Sequence, residues 1–357
     1  MKDHAVKKRL WYRPLLACLL LLVLAVVALV VFLTATEYRP RDRQAAEWQQ
    51  SGTGEAVTIG DSLTIYSWNI GYAGLGAETD FFMDGGSHVN PSREEVARNL
   101  SAISDFLSAE EADAWFLQEI DVCSRRTGYT NEWETLAAAY PGSYALAYNY
   151  KCAFVPFPLP PIGRVEAGIA TLTRASVLGE MERLALPCPF AWPVSTANLK
   201  RCLLLTRLKI EGSDKEVVLV NLHLEAYDDG EGKAAQTQLL MQLLQDEYEK
   251  GNYVIAGGDF NQTFPGVLDR FPVTGDVWAP GVMEESALPA GFSYAFDDSR
   301  AGCRLLNKPL SDDSQMYVLD GFIVSPNVQV NLAETVGLGF ANADHEPVKL
   351  QVTLLPA

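Results

Sequence analysis

The feature that most restricts this chain is an unbroken run of 23 uncharged residues, 14–36, made mostly of Leu, Val and Ala. A helix of that length rises about 1.5 Å per residue and matches the roughly 30 Å hydrocarbon core of a bilayer. Its apolar residues surround the whole helix, which argues against a core helix with a single buried face. Lys2, Lys7, Lys8, Arg9 and Arg13 precede the run, and Trp11 and Tyr12 stand where an interfacial belt would. Basic residues on the short side predict a cytoplasmic N-terminus and an extracytoplasmic remainder, a contrast softened by Arg39, Arg41 and Arg43. A cleaved signal peptide is the competing reading. Its apolar region usually has only ~7–15 residues, so the longer run favours an uncleaved, single-pass membrane anchor.

The formal charge of −17 divides unevenly about this segment, with +5 on residues 1–43 and −22 on everything after them. A body so acidic repels polyanions, which disfavours a basic nucleic-acid-binding module. With 48% hydrophobic residues over 357 positions, the chain fills a real core and is neither disordered nor a disulfide-stapled miniprotein. Residues 37–60 are polar, contain Gly52 and Gly54, and read as a tether. The expected organisation is a basic tail (1–13), a transmembrane helix (14–36), a linker (37–60) and one domain (61–357).

Beyond the tether, β-branched and aromatic runs predict strands over 63–69, 114–119, 143–150, 168–173, 202–210, 216–223, 253–259, 316–325 and 347–355. Residues 93–110 predict a helix, with Val96, Leu100, Ile103 and Leu107 on one face and Ser92 with Glu95 in capping-box spacing. A second helix is predicted over 233–250, ending at Gly251. Interleaved strands and helices make the body α/β or α+β.

Several of these strands end in polar residues where continued burial would favour apolar ones. The ends read Trp68-Asn69, Gln118-Glu119-Ile120-Asp121, Asn221-Leu222-His223, Gly257-Gly258-Asp259-Phe260-Asn261, Leu319-Asp320-Gly321 and Ala343-Asp344-His345-Glu346-Pro347. Taken singly, Glu119 could be a surface carboxylate, His223 a core histidine and the Gly-Asp-Asn run a turn. Together they supply one chemistry, metal-assisted phosphoester hydrolysis. Mg²⁺ takes a few oxygen ligands and keeps several waters, which Glu119 and Asn69 could satisfy. A His paired with a carboxylate activates water near neutral pH, and His345 with Asp320 fits. His223 and Asn261 have donors for the phosphoryl oxygens. No Cys-x-x-Cys, Gly-x-Ser-x-Gly or phosphate-cradling Gly-rich loop ending in Lys offers a rival.

In order, Ser67-Trp68-Asn69-Ile70, Leu117-Gln118-Glu119-Ile120-Asp121, Asn221-Leu222-His223-Leu224, Gly258-Asp259-Phe260-Asn261, Leu319-Asp320-Gly321-Phe322 and the run from Ala343 to Pro347 resemble the motifs of the endonuclease/exonuclease/phosphatase superfamily. The resemblance covers about residues 61–357. It implies a four-layer α/β sandwich, two packed mixed β-sheets with outer helices. It also implies Mg²⁺, or Mn²⁺ in its place, held by Glu119 and Asn69 with Asp259 and Asp344. His345 would be the general base oriented by Asp320. Asp259 would position the nucleophile or a second cation, while Asn261 and His223 would contact the phosphoryl group. Arg126 stands where related sequences place a phosphate-contacting Arg, with a solvated loop Arg as the alternative. Asn149 and Lys151 are weaker candidates.

The superfamily cleaves nucleic acids, phospholipids, inositol phosphates and nucleotides, so fold alone does not choose a substrate. The acidic body and the anchor favour a phospholipid head group or small phosphoester over long nucleic acid. An extracellular nuclease is the alternative, and an inactive phosphate-binding module the second. The apolar run 154–162 reads as a buried wall or as a rim loop that meets lipid or substrate. The acidic run 225–230 lies beside the site and resembles the sphingomyelinase-like branch. No protein partner is inferred. Of six cysteines, Cys188 with Cys202 is one conceivable bridge.

Overall fold

The computed structural model describes residues 2–50, 54–228 and 230–356, with backbone only for 2–11. Gly52 and Asp229 lie outside the described residues, as do the side chains of Lys2, Lys7, Lys8, Arg9 and Trp11. Helix α1, Lys2–Ala35, contains one stretch long and apolar enough to cross a membrane, Tyr12–Ala35, whose most apolar 18 residues have a mean hydropathy of 3.5.

The strands are β1 (Arg43–Ala45), β2 (Glu47–Gln49), β3 (Ser62–Asn69), β4 (Ala114–Asp121), β5 (Ser143–Val155), β6 (Gly163–Thr173) and β7 (Glu182–Ala185). They continue with β8 (Cys202–Lys209), β9 (Glu216–His223), β10 (Tyr253–Asp259), β11 (Ser293–Ala295), β12 (Asp320–Val324), β13 (Val328–Thr335) and β14 (Val348–Leu354). They form two seven-stranded sheets, ordered β1-β7-β8-β9-β10-β12-β11 and β13-β14-β3-β4-β6-β5-β2. Each sheet has one parallel pair, β9 with β10 and β3 with β4, among antiparallel neighbours.

Alternation along β3 shows how the layers arise. Leu63 and Ile65 point between the sheets, where they pack with Leu219, Ile255, Phe322 and Leu350. Tyr66 and Trp68 point outward onto α2 (Arg93–Ala109), against its stripe of Val96, Leu100, Ile103 and Leu107. The predicted capping box is present, with Ser92 Oγ accepting from Glu95 N and Glu95 Oε2 accepting from Ser92 N. On the far face, Leu240, Leu243 and Leu244 of α4 (Glu231–Glu249) cover Leu203, Leu205, Val218 and Val220. Helix, sheet, sheet and helix make the expected four layers. Between the sheets Asn221 receives Gln118 Nε2 at 2.8 Å and donates to Ala170 O at 2.7 Å, a buried polar tie.

Three expectations need correction. The stretch 37–60 is no free tether, because β1 and β2 add an edge strand to each sheet, and Val57 N bonds Lys209 O. The strand expected over 316–325 is broken: Met316–Tyr317 pairs with Cys303–Arg304, and only Asp320 onward joins β10. The Cys188–Cys202 bridge is not formed; both are free thiols, one exposed and one buried. Strand β13 and helix α3 (Glu132–Ala139) were not expected, β13 because it is an edge strand whose alternation is interrupted by a bulge between Val330 and Leu332.

Candidate active site

The parallel pairs of the two sheets end side by side, and their carboxyl ends carry the candidate residues, where α/β folds commonly build sites. Asn69 closes β3, His223 closes β9 and Asp259 closes β10, while Asp320 opens β12 directly opposite Asp259. Gly258 makes the crowding feasible: at φ +149°, a Cβ there would lie 1.9 Å from Leu222 O. Glu119 owes its direction to a bulge. Between Leu117 and Ile120 strand β4 holds one residue more than β6, and Glu119 takes φ +56°. Such a left-handed conformation costs a non-glycine residue of order 1–3 kcal/mol and is retained where surrounding packing enforces it. Asn261 is likewise left-handed, at φ +48°.

The side chains converge. Asn69 Nδ2 donates to Glu119 Oε1 at 3.2 Å and to Asp259 Oδ2 at 3.1 Å, while its Oδ1 accepts from Gly71 N. His223 Nε2 lies 3.4 Å from Asp259 Oδ2 and 3.9 Å from Glu119 Oε1. His345 Nδ1 meets Asp320 Oδ2 at 2.6 Å, leaving Nε2 facing Cys303 Sγ at 3.3 Å, Asp259 Oδ2 at 3.8 Å and Asp344 Oδ2 at 4.0 Å. All of these except Glu119 are buried.

The buried charges shape one another. Burial pushes the Asp344 carboxyl up to about 7, with His345 opposing and Glu119 adding. Asp320 rises to about 6 by burial, against the pull of His345. Burial disfavours charge on His345, yet Asp320 outweighs it and holds the imidazole well above its ordinary value. His223 shifts the other way, lowered by burial, by Arg201 and by His345. The cluster is thus short of positive charge, and Asp344 Oδ1 is buried without a hydrogen-bond partner. An all-oxygen acidic set with an unmatched buried oxygen fits a hard divalent cation. Asp259, Asp320 and His345 also place ligand atoms within 4.8 Å of one another, but Asp320 Oδ2 is committed to His345.

All eight strand-end candidates meet in this one place. Asn69 presents its amide nitrogen to the carboxylates rather than its oxygen, and Asn261 Nδ2 is turned to Leu224 O at 2.9 Å. Arg126 is not a solvated loop residue: it grips buried Asp121 through Nε at 3.0 Å and Nη2 at 2.9 Å and covers the Tyr72 ring at 3.7 Å. Asn149 lines the same cavity, whereas Lys151 lies over Tyr148. Sequence reasoning missed Arg201, which donates to His223 O and pairs with Glu225, and Cys303 against His345. Neither stands in a polar strand end, so no local pattern marks them.

Comparison with known proteins places this geometry in context. Residues 66–336 match the profile of the Endonuclease/Exonuclease/phosphatase family. No curated protein matches the chain. Among solved structures, an endonuclease/exonuclease/phosphatase from Beutenbergia cavernae superposes with a TM-score of 0.53 at 18% identity, over 83% of this chain and 72% of that one. One from Bacteroides vulgatus gives a TM-score of 0.53 at 15% identity, over 82% of this chain and 99% of that one. At such identities the likeness is one of fold.

Proposed function

The chain belongs to the endonuclease/exonuclease/phosphatase family of phosphoester hydrolases, and on that premise we propose a membrane-anchored, divalent-metal-dependent phosphoesterase whose water attack is run by His345 with Asp320. The observation that carries this reading is the convergence of seven polar residues, Asn69, Glu119, His223, Asp259, Asn261, Asp344 and His345, on one cavity, with Asp320 behind them holding His345. Glu119, Asp259 and Asp344 would hold the cation, Mg²⁺ or Mn²⁺, with the Asn69 amide linking Glu119 and Asp259. When bound, it supplies Lewis acidity to a phosphoryl oxygen and offsets the carboxylate charge. His345, held through Nδ1, moves a proton at Nε2. Asp259, tied to the Asn261 backbone N–H at 2.8 Å, orients the attacking water. His223 and Asn261 border the phosphoryl position, while Arg126 supports the cavity wall through Asp121 and Tyr72 rather than reaching the phosphate.

We assign residues 14–36 to a membrane span with a cytoplasmic N-terminus, and the body to the extracytoplasmic side. A phospholipid head group or small phosphoester is favoured over long nucleic acid because the arginines lining the cavity, Arg126, Arg201 and Arg304, are engaged by Asp121, by Glu225 and by backbone carbonyls. The test is hydrolysis of bis(4-nitrophenyl) phosphate by the full chain in detergent. Activity should vanish with EDTA and return with Mg²⁺ or Mn²⁺; activity indifferent to chelation would refute the metal role. Plasmid cleavage outpacing every member of a phospholipid panel would reverse the substrate preference.

A further inference from the structure

The catalytic cavity does not end at its polar floor. It has a volume of about 750 Å³ and runs from His345 and Asp259 to Leu29, Val30 and Leu33 of α1. Phe157, Phe190 and Val194 line the same cavity.

The helix is seated, not merely adjacent. Leu33 is buried among Cys152, Val155, Val165 and Ala167. Trp192 Nε1 donates to Thr34 Oγ1 at 3.0 Å, and Lys200 Nζ meets Glu37 at 3.0 Å just past the helix end. Removing α1 would bare this apolar face, which favours an anchor that stays over a leader that is cut away.

These contacts set the height of the cavity mouth. Leu29 to Leu33 form the last turns of a helix ending at Ala35, so in a spanning helix they lie in the outermost ~10 Å of the bilayer. Beside that helix end, Trp192, bonded to Thr34, is 63% exposed, and among the cavity's lining Phe157 is 69% and Val194 55% exposed. Large side chains so exposed on loops are costly in water and suited to the acyl boundary. Polar chemistry therefore lies at one end of the cavity and a membrane-level apolar opening at the other.

We propose that the last turns of α1 wall a groove that takes an acyl chain from the surrounding bilayer, so that a phospholipid-type phosphoester reaches His345 without leaving that membrane. The groove deepens the phosphoesterase reading and rests on it and on the anchor. Each methylene that slides along Leu29, Leu33 and Val194 exchanges one apolar setting for another, so entry from lipid avoids the cost of passing through water. A polyanionic strand gains nothing from such a mouth.

The full chain, reconstituted in mixed phosphatidylcholine and phosphatidylglycerol vesicles containing phosphatidylcholine with a diazirine on one acyl chain, is irradiated and the adducts mapped by mass spectrometry. Adducts are expected first on Phe190, which lines the cavity and is half-buried, and second, from bulk lipid, on exposed Phe157 and Val194 and on residues 15–24. In Leu29→Trp, which fills the groove, the first set should fall roughly tenfold while the second persists as the control for insertion. Adducts confined to the helix and to the exposed Phe157 and Val194, with none on Phe190, would overturn the proposal. Bis(4-nitrophenyl) phosphate hydrolysis by the same preparation separates the two ideas: its loss with groove labelling intact would sink the phosphoesterase reading and leave the lipid groove standing.

Discussion

The two ends of the cavity are built by opposite means. At the floor, Asn69, Glu119, His223, Asp259 and Asp320 sit in strands of the two sheets and His345 three residues before β14, and each polar group is oriented by another within 2.6–3.9 Å. Its strained backbone at Glu119 is sustained by the bulged β4 ladder. At the mouth, Leu29, Leu33, Phe157 and Val194 come from a helix end, a loop and a short 3-10 turn; their side chains are apolar, and the polar ties Trp192–Thr34 and Lys200–Glu37 lie just past them. Charge needs exact partners in a low-dielectric setting, since a misplaced buried carboxylate is expensive, whereas apolar contact tolerates changes of shape and size. The floor is therefore rigid and sensitive to single atoms, and the mouth is defined by area.

The sharpest way to break this contrast is to remove one floor group. Asp259→Ala and His345→Ala should each lower hydrolysis of a soluble diester by about 10³-fold or more with unchanged far-UV circular dichroism. A loss under tenfold in both would show that the floor is not the reacting centre. One layer out, Arg126→Met leaves Asp121 buried without its countercharge, held only by Thr127 Oγ1, and should cost about 3 kcal/mol in urea unfolding. A cost near zero would mean that Asp121 finds water.

A pH series separates the ends without mutation. Asp344, at about 7, and Asp320, at about 6, lie above the unfolded carboxyl value of ~3.9, so the folded state binds their protons more tightly. Their contribution is whole below pH ~4 and is lost as pH rises through 6 and 7. In chelator, the Tm should fall by about 5 °C from pH 5 to pH 8, and added Mg²⁺ should recover much of it at pH 8. A Tm that is flat or rises over that window would contradict the charge shortage at the floor. The smallest effect sets the baseline: Arg43→Ala, which removes a half-exposed 3.7 Å pair with Glu182, should change stability by less than ~0.5 kcal/mol.

Legibility followed the same division. Leu63-Thr64-Ile65-Tyr66 alternates because each face of β3 meets a different layer, and the pattern is local enough to read directly. The polar strand ends were equally visible, since an Asp, His or Asn closing an apolar run breaks its own surroundings. Glu119 was visible as a residue but not as a bulge, because the extra position exists only relative to β6. Arg126 read as a phosphate or solvent contact because nothing nearby says that Asp121 five residues back folds onto it in a buried pocket. The tether was misread since β1 and β2 are three residues each, too short to carry a period.

The chain alone determined the apolar N-terminal helix, the alternation of strands and helices and the order of the polar motifs, all of which are local regularities of residue type. Tertiary structure decided that Asn69 bridges Glu119 and Asp259, the latter 190 positions away, and that the end of the helix walls the same cavity. Those contacts depend on which strand edges pair and which loops close over them, and chain neighbours carry no record of partners so far along the sequence.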